Sequence, residues 1–172
     1  MSQLATRPPL ILTLRMDSQS QEFFNAFRKT YFPPERNYLD AHLTLFHHLN
    51  DNDQTLATVK SIAQPAFTLK TTGMKFLGAG VAFAIESKEL HNIRKELAIQ
   101  LHEQLIPQDK QGYRPHITIQ NKVSPEAAKQ LLNELQSTFQ PITITARGLD
   151  LWQYLGGPWK HHAYHALGPA PG

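Results

Sequence analysis

The sequence predicts a diverged duplication closed into one two-lobed domain of strands and helices, and three observations carry that expectation. The segment His42-Leu43-Thr44-Leu45 returns as His116-Ile117-Thr118-Ile119, each a histidine, an apolar residue, a threonine and an apolar residue. A glycine ends a β-favouring run at a matched distance from each, Gly73 coming 31 residues after His42 and Gly148 coming 32 residues after His116. The upstream runs match too: Leu10 to Met16 precedes a helical stretch and His42, while Val81 to Glu86 precedes a longer one and His116. The implied unit is strand, helix, strand, helix, strand, repeated at about 10–80 and 81–167 within a single domain over 1–172.

Each element has its own local signal. Pro8 and Pro9 end an unstructured start, and Leu10 to Met16 alternates as a strand. Ser18 followed by Gln21 resembles a capping box, after which Phe23, Phe24 and Phe27 give an apolar helical face that stops before Pro33-Pro34. Residues 41–49 read as a strand, and Asp51 or Asp53 caps a short helix ending near Pro65. Phe67 to Gly73 and Gly80 to Ile85 read as neighbouring strands joined by a glycine-containing turn. Ser87 opens the longest helix, to about Ile106, with Leu90, Ile93, Leu97, Leu101 and Leu105 at three- and four-residue intervals.

A loop from Pro107 to Pro115, containing Gly112, leads into the second motif strand. Ser124-Pro125-Glu126 opens a helix to about Phe139, with serine as cap and proline in the first turn. Strands at about 142–154 and 160–167 flank a Gly156-Gly157-Pro158 turn, and the small ending Gly168 to Gly172 is expected to be mobile. Gly73 and Gly148 mark bulges or close backbone approaches.

Composition narrows the chemistry. With 172 residues, 41% of them hydrophobic, the chain can bury one sizeable core. It has no cysteine, which excludes disulfides, thiolate metal sites and cysteine nucleophiles, and fits the reducing cytoplasm where the protein is expected. No apolar run approaches the roughly 20 residues that span a bilayer, and the amino terminus lacks a signal peptide's apolar centre. The 17 basic residues against 14 acidic ones are dispersed, so an anionic ligand is favoured over a long nucleic-acid face.

On an extended backbone the histidine and threonine of each motif project from one side and the apolar pair from the other. Cleaving a phosphoester needs a base for the attacking oxygen and an acid for the leaving one, on opposite sides of phosphorus. Two imidazoles with ordinary pKa values of about 6.5 suit both tasks. A threonine two residues on, roughly 7 Å along the strand, can donate to a non-bridging phosphate oxygen. No aspartate cluster or HExxH spacing asks for a metal, and no cofactor is expected.

These paired motifs resemble the signature of the 2H phosphoesterase superfamily, and most closely the group named for 2′-5′ RNA ligase and cyclic phosphodiesterase, which shares Pro115 before the second histidine. The resemblance covers about Leu10 to Leu167. It implies an α+β fold of two pseudo-symmetric lobes, with antiparallel sheets lining a central cleft and helices outside. It further implies metal-independent opening of 2′,3′-cyclic phosphates on RNA 3′ ends or nucleotides, sometimes with slow 2′-5′ ligation in reverse, and no obligate protein partner. Carried onto this chain, His42 and His116 become the acid/base pair and Thr44 and Thr118 the phosphate holders. Symmetry leaves the two histidine roles exchangeable; the working assignment makes His116 the base that activates water and His42 the acid.

Strand alternation extends the cleft face to Phe46 and His48 in one half, and to Gln120 and Lys122 in the other. Phe46 either stacks on a base or packs between lobes, and Lys122 either meets a phosphate or is a solvated strand end. Tyr113 and Arg114 are further candidates for substrate contact, while Trp152 and Tyr164 either edge the cleft or pack. His47 and His48, and the later His161, His162 and His165, lack the spacing of a metal site. Two rivals stand beside hydrolysis of RNA-type cyclic phosphates: a module that binds an RNA end or nucleotide without catalysis, and a related enzyme acting on another phosphoester, such as an ADP-ribose cyclic phosphate or a 2′-5′ oligonucleotide.

Overall fold

Leucines at 10, 12 and 14 make the first strand apolar along nearly its whole length, and a strand of that kind must be covered on both faces. The computed structural model describes residues 7–168, and there this strand, β1 (Leu10–Met16), runs through the interior of the sheet. The chain continues as α1 (Ser18–Tyr31), β2 (Leu43–Leu49), α2 (Asp53–Lys60), β3 (Phe67–Phe76), β4 (Val81–Glu86) and α3 (Lys88–Gln100). It ends with α4 (Pro107–Lys110), β5 (His116–Gln120), α5 (Pro125–Thr138), β6 (Thr143–Tyr154) and β7 (Trp159–Ala166). The result is α+β with a seven-stranded antiparallel sheet. Gly168, expected in a mobile ending, instead bridges Pro65 and donates its N–H to Gln64; the rest of that ending lies outside the described residues.

The strand order β2-β1-β6-β3-β4-β5 has the same sense read from either end. The third strand of each half pairs with the first strand of the other, β6 with β1 and β3 with β4. The two half-sheets are joined edge to edge where Phe67 to Lys70 of β3 pairs with Thr143 to Ala146 of β6. Farther along the same edge of β6 lies β7. Helix α1 follows the same crossing rule and packs against β5, while α5 covers β3 and β4. Phe24 and Phe27 of α1 meet Phe83 of β4 edge-on at 5.1 and 5.2 Å.

Three boundaries differ from the sequence expectation. Asp17, rather than Ser18, caps α1, accepting from the Ser20 N–H and holding the Thr145 N–H of β6 as well. Asn52 caps α2 through Thr55. Helix α3 ends at Gln100, where Leu101 leaves helical geometry and the chain tightens into a 3₁₀ turn at His102–Gln104; Pro107 then keeps Ile106 extended. Within the expected loop, Pro107 then opens the short α4. Gly73 and Gly148 do fall at register shifts, and the Tyr164 ring lies against Gly148. Among the described residues no helix is long and apolar enough to cross a membrane.

The β4 entry carries a sharper glycine requirement, since a Cβ on Gly80 would collide with the Gln120 carbonyl of β5. Gly80→Ala should therefore lower unfolding stability by about 2 kcal/mol in chemical denaturation, by forcing apart a packed strand pair. An unchanged denaturation midpoint would show that this backbone approach is not tight.

Candidate active site

Each motif strand carries an extra residue at the same place, and β2 carries a second between Phe46 and Leu49. In β2, Thr44 pairs with Thr13 but Phe46 with Leu12, so Leu45 is bulged. In β5, Thr118 pairs with Ala82 but Gln120 with Val81, so Ile119 is bulged. Up to the bulge the alternation holds: His42, Thr44, His116 and Thr118 are partly exposed while Leu43 and Ile117 are buried. Beyond it the phase reverses. His42, Thr44, His116 and Thr118 all line one cavity of about 360 Å³.

The two imidazoles are held alike. His42 Nδ1 lies 2.8 Å from the Asp40 carbonyl, and His116 Nδ1 lies 2.9 Å from the Arg114 carbonyl. A carbonyl only accepts, so Nδ1–H is the donor in both rings and Nε2 is left to exchange a proton. Burial pushes the His42 pKa down to about 4, helped by the positive charges of Arg28 and His116 and opposed by the Asp40 carbonyl. Burial also lowers His116, with Lys75 and His47 adding to it against the Arg114 carbonyl. Both rings are thus neutral near pH 7 in the free protein, and each is poised to gain a proton when an anion arrives.

Tyr113 and Arg114 line the same cavity, the Tyr113 hydroxyl donating to the Thr44 carbonyl at 2.9 Å. Burial raises the Tyr113 pKa, which keeps it a donor. The other expected contacts are placed differently. Phe46 is fully buried in the core, under the Arg94 guanidinium at 3.9 Å, and Gln120 is buried with its Oε1 unpartnered. Strand alternation misplaced both because the bulge comes between the motif and them. Lys122 follows β5 in a left-handed turn at φ 64° and borders a smaller adjoining hollow, shared with His42 and Thr118. Trp152 lines a neighbouring cavity beside His42, and Tyr164 stacks on Arg15.

The reversal of phase brings in residues that periodicity missed. His47 lines the main cavity, and its Nδ1 lies 3.0 Å from Asp109, a carboxylate 1% exposed that also accepts the N–H groups of His47 and His48. Although burial opposes it, these donors hold the Asp109 pKa below the usual carboxylate value. Arg94 of α3 donates to the carbonyls of Leu45 and Asp109 at 2.7 and 2.6 Å, and Arg28 of α1 donates to the Thr118 carbonyl at 3.1 Å. A charged residue on the apolar stripe of each helix, Arg28 four after Phe24 and Arg94 four after Leu90, was the available signal. Trp159 packs its ring 4.6 Å from that of His42.

The later histidines part company. His161 meets Asp150 at 2.8 Å, His162 meets Asp51 at 3.3 Å, and His165 meets the Ile62 carbonyl at 2.8 Å. Among the described residues no group of three or more His, Cys, Asp or Glu could hold a metal ion.

Residues 16–158 match the model of a family described as the 2′-5′ RNA ligase superfamily. No curated protein matches the chain. Among solved structures, one described as a phosphoesterase is 19% identical with a TM-score of 0.67, over 94% of this chain and 99% of that one. Escherichia coli LigT complexed with 3′-AMP is 19% identical with a TM-score of 0.64, over 94% and 98%. A protein of Thermus thermophilus, TT0787, is 14% identical with a TM-score of 0.66, again over 94% and 98%. At these identities the likeness is one of fold.

Asp109→Ala should cost about 3 kcal/mol in denaturant unfolding at pH 7, because buried N–H donors lose their acceptor. The wild-type carboxylate is stabilising above its unfolded value of 3.8 and loses that contribution as pH falls through its lower folded value, so the gap between the two proteins should narrow in strong acid. A gap that widens in acid would contradict this role.

Proposed function

The chain belongs to the 2′-5′ RNA ligase superfamily, and on that footing we propose that it opens 2′,3′-cyclic phosphates of RNA ends or nucleotides by acid/base catalysis between His42 and His116. The observation that carries this reading is the matched pair of Nδ1–H to carbonyl bonds, which leaves two Nε2 atoms to move protons within one cavity. In hydrolysis, one neutral imidazole takes a proton from water as its oxygen attacks phosphorus. The other, protonated, gives its proton to the ribose oxygen as the ester bond breaks. Thr44 and Thr118 donate to the non-bridging oxygens, where negative charge shifts during displacement. The neighbouring LigT was crystallised with 3′-AMP, a nucleoside monophosphate of the product class expected here.

The stronger depression of His42 favours it as the neutral base and His116 as the acid, the reverse of the working assignment from sequence. Neither role uses a metal, and with the 5′-hydroxyl of a second RNA in place of water the same attack, expelling the ribose 3′-oxygen with a proton, would join the two ends through a 2′-5′ bond. The absence of cysteine fits a cytoplasmic setting for this chemistry.

Replacing either His42 or His116 with alanine should lower cyclic-phosphate hydrolysis by about 10²- to 10⁴-fold, and Thr44→Ala or Thr118→Ala by less. A product assay on cyclic nucleotides, cyclic-phosphate-ended RNAs and 2′-5′ dinucleotides, with the double-histidine variant as control, tests this; full activity in both single histidine variants ends the proposal. Binding without any product would favour the non-catalytic rival, and an absolute requirement for added metal would contradict the mechanism.

The pH profile is a separate check. Because both histidine pKa values lie below 6.5, both limbs of kcat/KM move to lower pH, and the maximum should fall on the acid side of 6.5. The kcat profile should lie at higher pH, since the bound anion raises both groups. A kcat/KM maximum above about pH 7.5 would contradict the observed burial of the two rings.

A further inference from the structure

A cyclic phosphate diester carries one negative charge, and the two histidines and two threonines suffice to meet it. The cavity holds more positive charge than that. Lys75 reaches it from β3 and Arg114 from the segment before β5, and neither forms a salt bridge among the described residues. Arg94 is committed to two backbone carbonyls. Asp109 is the acidic residue of this lining, and its two oxygens are taken by N–H groups of His47 and His48 and by His47 Nδ1. That carboxylate also fixes the His47 ring and leaves Nε2 as the outer nitrogen.

We propose that His47, Lys75 and Arg114 form a second anion subsite beside the histidine pair, which takes a further phosphate group of the substrate. The inference deepens the reading above and rests on it for the identity of the first phosphate. It narrows the substrate class to cyclic phosphates that carry another phosphate, rather than to a bare cyclic nucleoside phosphate. Two geometric facts support it. The bulge at Leu45 exists in the strand pairing whether or not a ligand is present, and it turns His47 rather than Phe46 toward the cavity. The three donor side chains come from three different parts of the chain and meet at one lining, as side chains do around a ligand rather than around each other. Lys75 acts electrostatically on His116 and His47 on both His42 and His116, which places the two beside the histidine pair.

The second phosphate has two chemical sources, a 5′-phosphate of a single nucleotide or the adjoining diester of an RNA chain. Equilibrium binding of ring-opened phosphates separates them and needs no turnover. Affinities of the wild-type protein are measured for adenosine 2′-monophosphate, adenosine 2′,5′-bisphosphate, and an adenylyl dinucleotide ending in a 2′-phosphate. At least one ligand with the additional phosphate should bind about 10-fold tighter than the monophosphate, as one further charge-assisted contact provides. Tighter binding of the bisphosphate alone assigns a nucleotide source, and of the dinucleotide alone an RNA source. His47→Gln and Lys75→Ala should each bring the ratio toward one; if His47→Gln disturbs folding by a thermal-melt check, Lys75→Ala and Arg114→Ala decide. Equal affinities for all three ligands in the wild type, or a preference that survives the folded variants, overturns the subsite. Failure to hydrolyse any cyclic phosphate would instead defeat the catalytic reading while leaving this binding ratio readable.

Discussion

One irregularity of strand pairing, used twice, governs the site: an extra residue at the fourth position of each motif, Leu45 in β2 and Ile119 in β5. Before it, the ordinary period of two presents a histidine and a threonine together over an apolar pair. After it, the strand turns its next residue inward, so Phe46 and Gln120 are buried rather than part of the cavity lining. Around these bulges the two buried arginines take carbonyl oxygens, Arg94 that of Leu45 and Arg28 that of Thr118. A buried guanidinium with oriented acceptors is costly to dislodge, which makes the kinked strand ends rigid.

The arginines also tie each half to the other. Arg28 belongs to the first half and holds the second motif, while Arg94 and Tyr113 belong to the second half and hold the first. The sheet is built on the same exchange, each half lending its third strand to its partner's first. Neither motif can therefore be placed without both halves folded. This has a chemical use, because proton delivery and removal across one phosphorus demands that two rings keep their separation, and small misplacements are expensive in rate.

The histidine and threonine pairs were legible because four residues of strict alternation, written twice, survive as two short strands. Element order was legible for the same reason: Ser87 and Ser124 cap their helices where the sequence places caps, accepting from the N–H groups of Leu90 and Ala127. Legibility failed at the bulges, since nothing in Leu45-Phe46-His47 announces an unpaired residue and the period of two was carried one step too far. It failed again for Asp109, whose partners lie 61 and 62 residues away, and for Arg28 and Arg94, which look like ordinary solvated helix charges until their apolar neighbours are counted. The exchange of third strands is a long-range pairing that no local pattern encodes.

Catalysis of the kind proposed requires two rings, each carrying its proton at Nδ1, to respond together to one anion. Nitrogen-15 resolved spectra of the imidazoles, recorded near pH 7 while inorganic phosphate is added, read this out ring by ring. His42 and His116 should both be Nδ1–H tautomers in the free protein and should shift jointly toward protonation with a single dissociation constant. Two different constants, or a ring that does not respond at all, would show that the histidines do not share a ligand and would overturn the twin-histidine mechanism.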